Sequence, residues 1–149
     1  MPAAGHPDRF RERVRRRTTI DALLAQARRR LTRLDPAVAL SATRSGATLV
    51  DIRADTQIAR DGTIPGAIVI PRNTLEWRLD PTSSHRHPNA PELDDLVILV
   101  CHEGYQSSLA AATLQQLGFA RATDVIGGFQ AWLGAGLAVE QSDPKRQAI

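Results

Sequence analysis

The fold of this chain is decided by residues 96–107, LVILVCHEGYQS. Five consecutive apolar residues, 96–100, predict a strand that is buried on both faces, as in a parallel sheet. The strand leads directly into Cys101 and a short loop with Gly104, and Ser107 is placed to begin a helix with apolar residues at helical spacing. Ligands of parallel sheets bind beyond the carboxyl ends of the strands. Cys101 is therefore predicted to lie at the ligand-binding edge of the sheet.

Strands and helices alternate along the rest of the chain. Short apolar segments bounded by turn residues predict strands over residues 31–34, 48–52, 68–70, 96–100 and 124–126. Capped or amphipathic segments predict helices that follow Thr19, Asp35 and Gly128, and a helical turn over 74–79. This alternation predicts an α/β fold with about five parallel strands and helices on both faces of the sheet.

The charge of the chain is unevenly distributed over a length of 149 residues, about one domain. Residues 1–34 contain ten arginines and three acidic residues, whereas residues 35–149 contain nine basic and thirteen acidic residues. We therefore expect four segments. They are a disordered basic arm (1–17), an N-terminal helix (18–30), one α/β domain (31–140) and a C-terminal tail (141–149).

Composition excludes several classes of protein. A single cysteine excludes an intramolecular disulfide and a zinc site built from several thiolates. No segment approaches the roughly 20 apolar residues that cross a bilayer, and no apolar signal peptide is present, so we expect no membrane partner and a cytoplasmic location. A reducing compartment also suits a free reactive thiol. Neither a metal nor an organic cofactor is predicted, and the sequence leaves the oligomeric state open.

The surroundings of Cys101 predict a reactive thiol. Backbone N–H groups of a short loop can converge on one point, and the N-terminus of the following helix adds partial positive charge. Both favour a thiolate and would stabilise an anionic persulfide. Gly104 fits a tight turn with positive φ. The alternative is an inert buried thiol, since free cysteines are among the most buried residues.

Four stretches resemble the rhodanese family. They are LVDIR (49–53), GTIPGA (62–67), CHEGYQSS (101–108) and GGFQAW (127–132), in the order and at the spacing of single-domain rhodaneses. The resemblance covers residues 31–139, about three quarters of the chain. It implies a rhodanese-like fold and a ping-pong sulfurtransferase reaction. Cys101 would take a sulfane sulfur from a donor such as thiosulfate, hold it as a persulfide and pass it to cyanide or a thiol.

The resemblance also implies roles for individual residues. Cys101 would be the nucleophile, and the amides of residues 102–106 would cradle the anion. Asp51 and Arg53 would support the loops near the site. Many rhodaneses have an arginine that binds thiosulfate at the position of Gln106. The substrate-binding residues would be His102, Glu103, Gly104, Tyr105, Gln106 and Ser107.

Several alternatives stay open at this point. Arg72 and Arg78 could face the cleft and replace the missing loop arginine, or lie on the surface. His85 and His87 could form a metal pair, although no third ligand is evident. The arginine-rich arm could bind an acidic partner or nucleic acid, or be a solvated extension.

Two other functions compete with sulfur transfer. Related phosphatases have an arginine six residues after the cysteine, where this chain has Ser107, so the charge neutralisation that phosphoryl transfer needs is missing. The remaining alternative is a rhodanese-like module that lacks catalysis and binds a partner or senses oxidants.

Overall fold

A computed structural model describes residues 8, 9, 11 and 17–141 of the chain. Most of the predicted basic arm, residues 1–17, and all but the first residue of the predicted tail, 141–149, therefore lie outside the described residues. None of the helices in the described part of the chain combines the length and the apolar character that a membrane crossing requires.

Six α-helices and four strands are present between residues 17 and 141. The helices are α1 (Ile20–Arg29), α2 (Pro36–Arg44), α3 (Asp55–Asp61), α4 (Leu75–Leu79), α5 (Gln106–Gln116) and α6 (Gly128–Gly134). The strands are β1 (Thr48–Asp51), β2 (Ile68–Val69), β3 (Val97–Val100) and β4 (Thr123–Asp124). A short 3₁₀ helix, Arg72–Thr74, leads into α4.

The strands form one parallel sheet in the order β2-β1-β3-β4. The longest pairing joins β1 to β3, from Thr48 opposite Val97 to Asp51 opposite Val100. The strand that carries Cys101 is therefore central, as predicted. β2 lies on one side of β1, and β3 lies on the other. The strand order therefore reverses between β1 and β3, which makes this the switch point of the sheet. The crevice beyond their carboxyl ends is where such sheets bind ligands.

The predicted strand over residues 31–34 is wrong as a full strand, so the sheet has four strands and not five. Only Leu34 reaches the edge, where it forms an isolated parallel bridge with Val125. Its N–H donates to Asp124 O at 3.0 Å, and its carbonyl accepts from Ile126 N at 2.9 Å. Asp35 and Pro36 begin α2 directly afterwards, and proline has no N–H to continue a ladder.

Two apolar cores cover the two faces of the sheet, in agreement with the predicted layers. Alternate residues of β1 and β3 point to opposite faces, because side chains alternate along a strand. One core joins Val50 and Leu99 to α4 and α5. The other joins Leu49 and Ile98 to α2 and α6, including Trp132. α1 packs outside the first core, against α5.

Two helices differ from the sequence-based prediction. α3 was not anticipated, because only Ile58 of its seven residues is buried and the segment has no apolar period. α5 begins at Gln106, one residue before the predicted start, with Tyr105 as its N-cap residue. The helix therefore starts inside the loop that follows Cys101.

The position of Leu99 gives a test of the core. Leu99 is fully buried in β3, so Leu99→Ala removes packed methyl groups and is expected to lower the free energy of unfolding by about 2–5 kcal/mol. Leu133→Ala is the matched control, because Leu133 is 43% exposed on α6 and its loss should change stability by about 0.5 kcal/mol or less. Urea denaturation measures both values. Equal losses in the two variants would contradict the placement of β3 at the centre.

Candidate active site

The sulfur of Cys101 faces polar groups at the carboxyl end of β3. The backbone N–H groups of Gly104 and Ser107 donate to Cys101 Sγ at 3.1 and 3.3 Å. Ser107 Oγ lies 3.2 Å from the same sulfur. The two peptide N–H groups stabilise negative charge on the sulfur. The Ser107 hydroxyl accepts from the thiol, because its own proton is donated to Asp124.

Two details differ from the expected cradle. The expected amides were those of residues 102–106, whereas the donors to the sulfur are Gly104 from that range and Ser107 just beyond it. The thiol is also less accessible than an open nest would leave it, since Cys101 is only 5% exposed and its other side packs in the apolar core with Val50. Gly104 has φ +87°, which confirms the predicted positive φ.

The two glycines before and at the start of α6 allow this helix to touch the loop backbone. A Cβ on Gly128 would lie 2.5 Å from Cys101 O and 2.7 Å from Gly104 N. A Cβ on Gly104 would lie 2.8 Å from Gly127 N. A pair of glycines in a sequence is a signal for such a close approach of two backbone segments.

The N-terminus of α6 holds the loop carbonyls. Phe129 N donates to Cys101 O at 2.8 Å, and Gln130 N donates to His102 O at 3.1 Å. These donors are among the N–H groups that have no partner within their own helix. The helix end is thereby satisfied, and the loop carbonyls face α6.

Asp124, at the end of β4, connects the loop to the sheet. Its carboxylate is fully buried, and Oδ2 accepts hydrogen bonds from Ser107 Oγ and Ser108 Oγ, each at 2.7 Å. Arg33 forms the matching ion pair, with Nε 2.8 Å from Oδ1 and Nη2 3.2 Å from Oδ2. The buried charge of Asp124 is thus paired with a cation and satisfied by hydrogen bonds, without which its burial would be strongly destabilising.

Sequence reasoning missed two arginines at this site. Arg28 Nη2 and Arg33 Nη2 both donate to Gly104 O, at 2.8 and 3.0 Å. Arg28 Nε also donates to Ser108 Oγ at 3.1 Å, and its guanidinium lies 5.6 Å from the centre of the Tyr105 ring. The helical spacing of α1 could have indicated packing, but no local pattern indicates which arginines reach a loop more than 70 residues away.

Asp51 and Arg53 form a second buried ion pair beyond β1. Arg53 Nη2 lies 2.8 Å from Asp51 Oδ2 and donates to Gly62 O at 2.7 Å. The guanidinium stacks on Phe129 at 3.7 Å from the ring centre. The pair therefore joins the loop after β1 to α6, which in turn supports the Cys101 loop.

The other loop residues lie around the rim. Glu103 and Tyr105 are exposed, and His102 is half-buried with Nε2 3.3 Å from Gln130 Nε2. Asp61 lies at the end of α3, and the hydrogen bond from Arg60 lowers its pKa.

A cleft of about 690 Å³, lined by polar and apolar side chains, opens beside the start of α5. It lies beyond β1 and β2, and α5 contributes Gln106 and Leu109 to its wall. Arg72 lines this cleft, with Nη1 held by Glu76 Oε1 at 2.6 Å. Arg78 is not among the lining residues and donates to His85 O at 2.8 Å. Of the two candidate arginines, only Arg72 therefore lies in the cleft.

The histidine pair shows no metal-binding arrangement. His87 Nδ1 accepts a hydrogen bond from Asn89 N at 3.0 Å, and burial together with the nearby charge of Arg78 lowers the pKa of His87. Over residues 8, 9, 11 and 17–141, no group of three or more His, Cys, Asp or Glu side chains is placed to hold a metal ion.

Comparison with known proteins agrees with this geometry. Residues 35–135 match the family model of the rhodanese-like domain. The thiosulfate sulfurtransferase GlpE of Pseudomonas entomophila is 35% identical over 67% of this chain and 83% of its own length.

Two solved structures share the fold. A protein of unknown function from Rhodopseudomonas palustris, described as a possible tyrosine phosphatase, matches with a TM-score of 0.76 and 36% identity, over 83% of this chain and 95% of its own. The human single-domain sulfurtransferase TSTD1 matches with a TM-score of 0.60 and 29% identity, over 68% of this chain and 95% of its own. The chain therefore belongs to the rhodanese-like domain family, as a sulfurtransferase of the rhodanese type.

Proposed function

We propose that Cys101 carries a sulfane sulfur as a persulfide, taken from a small donor such as thiosulfate and passed to a thiol or cyanide. The observation that carries this proposal is the pair of N–H groups, from Gly104 and Ser107, that donate to one sulfur atom. Such groups keep a thiolate ionised and ready for attack. They belong to residues of the loop assigned above to substrate binding.

The reaction has two displacement steps. The Cys101 thiolate attacks the outer sulfur of thiosulfate, a sulfur–sulfur bond forms to Cys101, and the bond to the sulfonate sulfur breaks as sulfite leaves with its electron pair. An acceptor thiolate or cyanide then attacks the outer sulfur of the persulfide. The thiolate of Cys101 is restored, and the product is a new persulfide or thiocyanate. No proton has to move within either displacement.

The anionic end of the donor needs a positive partner. Gln106 lines the cleft and can donate hydrogen bonds, but it has no charge. Arg72 lies on the same cleft wall, and its ion pair with Glu76 fixes the guanidinium there. We therefore assign the sulfonate group to Arg72 and Gln106, because arginine presents a planar fork of donors to such oxyanions.

Phosphoryl transfer is disfavoured by the same geometry. A phosphatase reaction spreads negative charge over three oxygens and needs a guanidinium in the loop. Here Ser107 occupies that position, and its hydroxyl donates to the buried carboxylate of Asp124. The hydroxyl therefore adds no positive charge for three phosphoryl oxygens, whereas a persulfide presents a single terminal charge.

The first prediction concerns the nucleophile. Thiosulfate treatment of the wild-type chain should add one sulfur atom, seen by intact mass spectrometry and removed by cyanide, whereas Cys101→Ser should add none. Ser107→Ala is a useful comparison, because it retains the nucleophile and the backbone donor and should still be loaded. A Cys101→Ser variant that retains cyanolysable sulfur would refute the proposal. Failure of the wild type to load, with an alkylation rate like that of free cysteine, would favour the non-catalytic or redox-sensing module.

The second prediction concerns the glycine contact beneath the loop. Gly128 has φ +60°, and an added Cβ would collide with Cys101 O and Gly104 N, so Gly128→Ala must displace the donor to the sulfur. We expect sulfur loading to slow by about tenfold or more, since a donor to the reacting atom is lost. Gly134→Ala in the same helix is the control, because its Cβ would meet open space. Loading of Gly128→Ala at the wild-type rate would show that the cradle does not depend on this contact.

The third prediction concerns donor binding. Arg72→Gln should raise the KM for thiosulfate by about tenfold, the effect of losing one charged hydrogen bond, with a smaller change in kcat. Arg78→Gln should leave the KM near its wild-type value, because that guanidinium does not line the cleft. Steady-state kinetics with thiosulfate and cyanide separate the two. Equal KM values in both variants would remove Arg72 from the donor site.

A further inference from the structure

Two arginines outside the family-matched region support the active-site loop from behind. Arg28 lies in the last turn of α1 and Arg33 follows that helix, whereas the family match begins at residue 35. Both donate to the carbonyl of Gly104, the residue whose N–H donates to Cys101 Sγ. The N-terminal segment of this chain is therefore part of the site's structure.

The double hydrogen bond fixes one peptide plane of the loop. In a trans peptide the C=O and the following N–H point in opposite directions. Because Gly104 O faces Arg28 and Arg33, the N–H of Tyr105 faces away from them. Two guanidinium donors also polarise this peptide and increase the positive character of its N–H. The arginines thus fix the Gly104–Tyr105 peptide, directly after the Gly104 N–H that donates to the sulfur, without touching the sulfur themselves.

The same arginines also bring positive charge to the side of the loop that faces away from the cleft, where Asp124 carries a negative charge. Asp124 is one hydroxyl group away from Cys101, since Ser107 Oγ is 2.7 Å from Asp124 Oδ2 and 3.2 Å from Sγ. A negative charge so close opposes a thiolate. Arg33 pairs with Asp124 and offsets that effect. The contacts of Arg28 at the loop are with neutral groups, namely Gly104 O, Ser108 Oγ and the Tyr105 ring, so its charge adds to the field of the loop.

We propose that Arg28 is a positioning residue that promotes ionisation of Cys101, because it holds the Gly104 carbonyl and places a positive charge at the loop. Arg33 assists by pairing with Asp124. This inference rests on the proposed role of Cys101 as the nucleophile. Arg28 supplies positive charge to a loop that has Gln106 at the position where many rhodaneses have an arginine. Arg28 is the better probe, because removal of Arg33 would leave Asp124 buried and unpaired.

The test is the rate of Cys101 alkylation by iodoacetamide as a function of pH in the full-length chain. Arg28→Gln should move the midpoint of this profile to higher pH and slow alkylation below the midpoint by about three- to tenfold, because a nearby positive charge is lost. Arg28→Lys retains the charge but not the planar fork of donors, so it should displace the profile less than Arg28→Gln does. Arg29→Gln is the matched control, since Arg29 is exposed in the same turn of α1.

The other charged and titratable groups around the loop are unchanged in these variants. They are His102, Glu103 and Tyr105 in the loop, Arg33 and Asp124 behind it, Asp61 at the end of α3 and the Asp51–Arg53 pair beyond β1. A merely structural role for Arg28 would lower the thermal unfolding midpoint and leave the pH profile in place. Superimposed profiles of the wild type and Arg28→Gln would overturn the proposal, as would an equal displacement in Arg29→Gln.

Alkylation also separates this inference from the proposed function. It needs no sulfur donor, so the displaced profile can be measured whether or not the wild type forms a persulfide. Loading of the wild type with sulfur together with an unchanged Arg28→Gln profile would overturn the role of Arg28 alone. A displaced profile in a chain that takes up no sulfur would support the role of Arg28 in ionisation and overturn the sulfur-transfer mechanism.

Discussion

The buried carboxylate of Asp124 is the constraint on which the active-site structure depends. It has no access to water, so an unpaired charge at this position would cost on the order of several kcal/mol. Ser107 and Ser108 approach it from the start of α5, and Arg33 approaches it from the N-terminal segment. The loop conformation that brings Ser107 Oγ to Asp124 also brings the Ser107 N–H to the sulfur of Cys101. The requirement to satisfy one buried charge and the geometry of the cradle are therefore met by the same arrangement of the chain.

The groups that donate to the sulfur of Cys101 are peptide N–H groups, and none of them carries a full positive charge. Peptide N–H groups keep their polarity at every pH, and they need no reorganisation when charge develops on the atom they face. The full positive charges lie one layer further out, with Arg33 on Asp124 and Arg28 on the Gly104 carbonyl. This layering suits a reaction in which negative charge stays on one or two sulfur atoms. It does not suit a transferring group with three charged oxygens, which needs a guanidinium in direct contact.

The central part of the fold could be predicted because its signals are local. The apolar run before Cys101 and the positive φ of Gly104 are properties of a few consecutive residues, and the structure confirms both. The contacts of Arg28 and Arg33 join residues 71 to 91 positions apart, so no local pattern contains them. α3 was missed for a different reason, since it buries a single side chain and has almost no amphipathic signal. The strand before Leu34 was overpredicted, because its apolar residues mark one sheet bridge and packing against the two cores, not a ladder.

Three carbonyls of the loop are held by groups that lie outside it. The carbonyls of Cys101 and His102 accept from the N-terminus of α6, and the carbonyl of Gly104 accepts from the two arginines. In each of these trans peptides the following N–H is directed away from the partner of the carbonyl. A rotation that turned any of these carbonyls toward the sulfur would break a hydrogen bond in a largely buried setting, at a cost of about 1–3 kcal/mol for each group left unsatisfied. α6 and the N-terminal segment, from opposite ends of the chain, thus favour the same orientation of the loop. The peptides on both sides of the Gly104 N–H are consequently held by contacts that lie behind the loop, and the glycines that permit those contacts are as much a part of the site as the residues that face the sulfur.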